Sequence, residues 1–96
     1  MTTWEKVIEF INSHETFMRR DAKRIDENCS YYTVSQYILI WMNCGFLKRI
    51  SRGSYVRLLK VPTNISSIKA QMIAYNPNLR LKLLRKCKLN QLDEIK

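Results

Sequence analysis

Ninety-six residues suit one folded unit, and a hydrophobic share of 46% is too high for a disordered chain. The formal net charge is +9, from 17 Lys and Arg against 8 Asp and Glu, which excludes a neutral surface and favours a polyanionic partner. Only two Gly and two Pro occur, so loops must be short, and the longest apolar run, Tyr37 to Met42, is too brief to cross a bilayer.

Residues 2–13 read as a helix, with Thr2 and Glu5 spaced as a capping box and Trp4, Val7, Ile8 and Ile11 along one apolar face. Thr16-Phe17-Met18 suits a short strand. Residues 20–27 suit a short helix that turns Ala22 and Ile25 inward, and Asn28-Cys29-Ser30 a turn. Thr33 and Gln36 form a second capping box, which predicts a helix over 34–44 stopped by Gly45. Its packing stripe is Val34, Ile38, Trp41 and Cys44; Tyr32, Ser35, Gln36 and Asn43 lie away from it. Leu39, Ile40 and Met42 make this helix apolar nearly all round, so it requires burial on more than one side. The C-terminal helices, a partner or a second copy would supply that cover.

Residues 46–61 read as a hairpin with its turn at Ser51-Arg52-Gly53-Ser54 and its second strand ended by Pro62. A helix over 64–75 aligns Ile65, Ile68, Met72 and Tyr75 on one face. Asn76 caps a last helix from Pro77 to about residue 89, basic through Arg80, Lys82, Arg85, Lys86 and Lys88.

The charge is unevenly placed. Residues 1–27 carry six acids and five bases, whereas Asn28 to Leu92 hold eleven Lys and Arg and no acid at all. Mixed signs are the rule on an ordinary solvated surface. An acid-free stretch of this length attracts nucleic acid through its field and through counterion release. An acidic protein is the other partner such a surface would take.

The order helix, short strand, helix, turn, helix, hairpin, with TVSQYILIWMNCGFLKRISRGSYVRL at its centre, resembles the winged helix-turn-helix family over residues 3–62. The resemblance implies an α+β fold: a three-helix core with a β-hairpin wing in residues 1–62. One or two extra C-terminal helices in 63–96 would pack on the same domain or pair two copies. It implies a recognition helix in the major groove and a wing on the backbone or minor groove. Ser35 and Gln36 would then reach base edges, a bidentate Gln–adenine pair giving about 1–3 kcal/mol of discrimination. Tyr32 and Thr33 would offer hydroxyls to phosphate, Lys48, Arg49, Arg52 and Arg57 would charge the wing, and Arg19, Arg20, Lys23 and Arg24 would add phosphate contacts from the second helix. Each has a plainer use as well. Thr33 and Gln36 can be a cap alone, and wing cations can simply discourage strand pairing.

The expected partner is double-stranded DNA, and the expected role a small transcriptional regulator of phage, plasmid or bacterial type. The N-terminus has no apolar signal core, so a cytoplasmic protein is expected, nucleoid-associated if bacterial. A homodimer through the C-terminal helices would suit a palindromic site. The alternative role is an adaptor that docks an acidic protein through the apolar helix. Catalysis is not expected, because the acids cluster near residues 5–27 and no phosphate-cradling glycine loop occurs. No cofactor is implied. Cys29, Cys44 and Cys87 lack metal-ligand spacing and read as reduced thiols, at least two of them packed in the core.

Overall fold

The computed structural model describes residues 1–95. The elements in chain order are α1 (Thr3–Ser13), β1 (Thr16–Met18), a 3-10 turn (Arg19–Asp21), α2 (Ala22–Ile25), α3 (Tyr31–Cys44), β2 (Leu47–Ser51), β3 (Ser54–Arg57), α4 (Ser67–Tyr75) and α5 (Pro77–Ile95). The fold class is α+β. No helix among the described residues is long and apolar enough to cross a membrane.

Helix α1 begins as its sequence predicts. Thr2 accepts from the Glu5 amide, and the Glu5 carboxylate accepts from the Thr2 amide at 3.2 Å. Those bonds hold the Glu5 carboxyl below its usual range. Asp26, after α2, is likewise lowered, first by the hydroxyl of Thr3 at 2.6 Å and then by the Asn28 amide. Trp4, Val7, Ile8 and Ile11 of α1 are all buried.

The three strands form an antiparallel sheet in the order β1-β3-β2. Phe17 of β1 pairs with Tyr55 of β3, and their rings stack inward at 5.7 Å. β2 carries one residue more than β3 between Arg49 and Ser51, a bulge at Ile50. The turn Arg52-Gly53 closes the hairpin, and Gly53 takes the positive φ of +76° that a two-residue connection needs. β3 stops at Arg57, earlier than Pro62 alone predicts. From there the chain bends toward other partners. The Asn12 side chain bonds both the amide and the carbonyl of Val61, and the Gln91 side chain does the same for Lys60.

Helix α3 runs through the interior. Val34, Ile38, Trp41 and Cys44 are buried, while Ile40 and Met42 pack against the core from its flanks. Trp41 stacks on Trp4 at 5.1 Å and meets the edge of Phe46 at 5.4 Å. Helix α4 lies along α3, close enough for the Cys44 thiol to reach the Ala70 carbonyl at 3.4 Å. Burial pushes the Cys44 thiol up to about 11 and raises Cys87 as well. All three cysteines are free thiols, two of them buried.

Residues 63–91 share one core with the rest. Ile65, Ala70, Ile73, Ala74 and Cys87 join the same buried cluster as Trp4 and Trp41, and the Trp4 indole donates to the Ile65 carbonyl at 2.8 Å. Helix α5 closes over the end of α3: a side chain at Gly45 would meet Leu84 at 2.9 Å. The Arg80 guanidinium donates to the last carbonyls of two helices, Asn43 of α3 and Ala74 of α4, each at 3.2 Å. Much of the cover that α3 requires therefore comes from its own chain, with Tyr37, Ile40 and Met42 half-buried against the core and Leu39 half-buried.

The α4 face is inverted relative to the expectation. Ala70, Ile73 and Ala74 are buried, whereas Ile68, Met72 and Tyr75 face solvent. Small residues let α4 approach α3 closely, and the large ones are left outside. The helix itself starts at Ser67 behind a Ser66 cap, so buried Ile65 precedes it.

Candidate nucleic-acid interface

The start of α3 differs from its predicted form. Ser30, rather than Thr33, is the cap: its hydroxyl accepts from the Thr33 amide at 3.1 Å. The helix therefore gains Tyr31, Tyr32 and Thr33. The amides of Tyr31 and Tyr32, in the first turn, have no acceptor within the helix, as at any helix start. Thr33 is half-buried, and its hydroxyl lies 2.9 Å from that of Ser30, so it serves the cap. The Thr33–Gln36 capping box does not form.

Ser35 is also displaced from its expected role. It is 3% exposed, and its hydroxyl has no hydrogen-bond partner among the described residues. A buried side chain cannot reach a base edge. Gln36 is exposed, and Tyr32 is 71% exposed. Tyr32, Gln36 and Asn43 recur at helical spacing, so they form the outer stripe of α3.

An unsatisfied buried hydroxyl costs more than a methyl group in its place. Ser35→Ala is expected to raise unfolding stability by about 1 kcal/mol and to leave nucleic-acid affinity unchanged. Urea denaturation and a binding titration of the same variant check both halves.

The hairpin places Lys48, Arg49 and Arg52 in solvent. Of β2 only Leu47 is buried, so the strand projects beyond the core with cations on both faces. Arg57 departs from this group. Its guanidinium donates to the carbonyls of Ile11 and Asn12 at 3.2 and 2.8 Å, capping the C-terminal end of α1. It is part of the frame and is withdrawn from the wing.

Arg19 and Arg20 are exposed, and the backbone brings them to the hairpin tip: the Arg19 amide donates to the Gly53 carbonyl at 2.7 Å. The 3-10 turn and α2 then lead from that tip toward α3. Lys23, on α2, holds its ammonium 5.8 Å over the ring of Tyr31. A cationic band thus passes from Arg52 through Arg19, Arg20 and Lys23 to the first turn of α3. The one acid within it, Asp21, is half-buried and accepts from the Met18 amide at 2.9 Å.

Among the described residues no carboxylate forms an ion pair with a cation of the band. The single ion pair among the described residues is Lys6–Asp26 at 3.5 Å.

No protein-family model, curated protein or solved structure matches this chain.

One participant escaped the sequence reading. Ser30 reads as part of a turn with Asn28 and Cys29. Its signal was there, in a cap-forming residue one turn ahead of the apolar stripe. Lys23 was a candidate beside Arg19, Arg20 and Arg24; what singles it out in the fold is the ring of Tyr31, eight residues away.

Proposed function

We propose that this chain binds double-stranded DNA as a winged helix-turn-helix module, with the hairpin β2–β3 as wing and the first turn of α3 as the reading element. The order of elements and the sheet order β1-β3-β2 support the winged reading. The observation that carries the DNA reading is the band of cations, none of them in an ion pair, that runs from Arg52 to Tyr31 and joins the hairpin tip to the start of α3.

The division of labour follows from the chemistry of each side chain. Arg19, Arg20, Lys23, Lys48, Arg49 and Arg52 neutralise phosphates and set affinity. Gln36, one turn in from the helix start, presents an amide to base edges. Tyr32 offers a hydroxyl to the backbone at the same end. The polar side chains exposed on α3 are few, Tyr32, Gln36 and Asn43 on its outer stripe, so reading covers few base pairs. A small regulator of modest intrinsic selectivity is the role that such a surface fits.

The test is fluorescence anisotropy against random duplex pools with selection and sequencing of the bound fraction. The wild-type chain is expected to enrich a short motif. Gln36→Ala is expected to bind the unselected pool as well as wild type but to lose about 1–3 kcal/mol of preference at one position of that motif. An unchanged motif in the variant removes Gln36 from the readout, and no duplex binding at low salt removes the proposal.

A further inference from the structure

Helix α4 exposes large apolar side chains. Ile68, Met72 and Tyr75 are 73%, 62% and 78% exposed, and their spacing of four and three aligns them in one stripe. Leu79, at the start of α5, is exposed beyond them. Single exposed apolar residues are ordinary. Ile50, Leu58, Leu81 and Leu89 are of that kind, none of them aligned with other large exposed apolar residues along a helix face. The α4 stripe is different. From Pro62 to Leu79 the only charged residue is Lys69, in a chain whose net charge is +9.

We propose that this stripe docks a second copy of the chain, α4 against α4 about a two-fold axis. Two chains of this charge repel one another, so they can meet only where the surface is nearly neutral. An acidic partner would be drawn instead to the hairpin or to the bases of α5. The stripe also complements itself. When two copies of α4 run antiparallel, Ile68 meets Tyr75 of the second copy and Met72 sits close to the axis. An aromatic ring alone buries about 150–250 Å². Three large side chains per copy therefore form the apolar centre of an interface that needs about 800 Å² on each side. Lys69, Gln71 and Asn76 make its polar rim.

The salt dependence of this contact has a definite sign. Added salt screens the repulsion between the two cationic chains and strengthens the dimer. It weakens binding to a polyanion. The two associations are thereby separable, and the dimer does not depend on the DNA reading.

Sedimentation velocity of the full chain without nucleic acid, over a wide range of protein concentration and at two salt levels, provides the test. The expected result is a shift from one to two chain masses with rising concentration, at lower concentration in higher salt. Met72→Glu touches no core contact and should leave the thermal melt unchanged while weakening dimerisation by at least about a hundred-fold. In a Cys29→Ser background, Met72→Cys should cross-link under mild oxidation at least about ten-fold faster than Ser51→Cys, which is exposed on the hairpin. A chain that stays monomeric throughout overturns the proposal. So does a Met72→Glu variant that dimerises like wild type, or equal cross-linking of the two cysteine variants.

Discussion

Trp41→Ala is expected to cost about 3–5 kcal/mol of stability, the range for removing a buried large aromatic side chain. A chain of this size has only about 5–15 kcal/mol in total, so the variant should unfold in part at physiological temperature. The reason lies in what Trp41 joins. It is fully buried, stacked on Trp4 of α1 and set against the edge of Phe46 at the entry to β2. Trp4 in turn meets Tyr37 and holds the Ile65 carbonyl before α4. One side chain thus stands between α1, α3, the hairpin and the segment leading to α4. Trp41→Phe separates packing from polarity. The indole N–H of Trp41 has no partner among the described residues, so phenylalanine removes a buried unsatisfied donor while leaving a smaller void. Its cost should be less than half that of alanine. Urea denaturation of the two variants checks this, and an alanine cost below about 1 kcal/mol would show that the core is not organised around this residue.

How far the sequence foretells these features depends on how local their causes are. The Thr2–Glu5 box and the Gly45 stop are settled within a few residues, and both form as read. The buried stripe Val34, Ile38, Trp41 and Cys44 was legible because a period of 3.6 leaves little choice. The start of α3 was harder. Ser30 and Thr33 both suit a cap, and only the three-dimensional path of the turn before them makes Ser30 the earlier one. Faces of short helices are harder still. In α4, Ala70 and Ala74 carry little hydrophobic weight, but they are what fits against α3, and the heavier residues go outside. Hydrophobicity measures what gains from burial; the space available decides which residue receives it.

The cations were the least legible part. Arg49, Arg52 and Arg57 stand close together in sequence and look alike there. In the fold, Arg57 closes the end of α1, and Arg80 closes the ends of α3 and α4. The contacts of Arg57 with Asn12 and of Arg80 with Asn43 span 45 and 37 residues of chain, beyond any local pattern. Arg19 and Arg20 went the other way. Their neighbours in sequence include acids, yet the Arg19–Gly53 bond brings them to the wing tip.

That sorting sets up the largest expected effect on binding. Replacing Arg19, Arg20, Lys23 and Arg52 together by alanine should flatten the salt dependence of DNA affinity. Each lost phosphate contact lowers the slope of log K against log salt by about 0.9, so four lower it by about 3–4. Between 50 and 200 mM salt the variant should then lose about a hundred-fold less affinity than the wild-type chain loses over the same interval. None of the four side chains is in the core, so the thermal melt should hardly move. Arg57→Ala, which removes one positive charge, is the control to set against one quarter of the fourfold effect. There the slope should stay as in wild type, while stability falls by about 1–3 kcal/mol as the carbonyls ending α1 lose their donor. Anisotropy titrations over a salt series, with a denaturation curve for each variant, decide between the two patterns. If Arg57 carried as much of the slope as a band residue, or if the fourfold variant kept the wild-type slope, phosphate contact would not run along the path from the hairpin tip to α3.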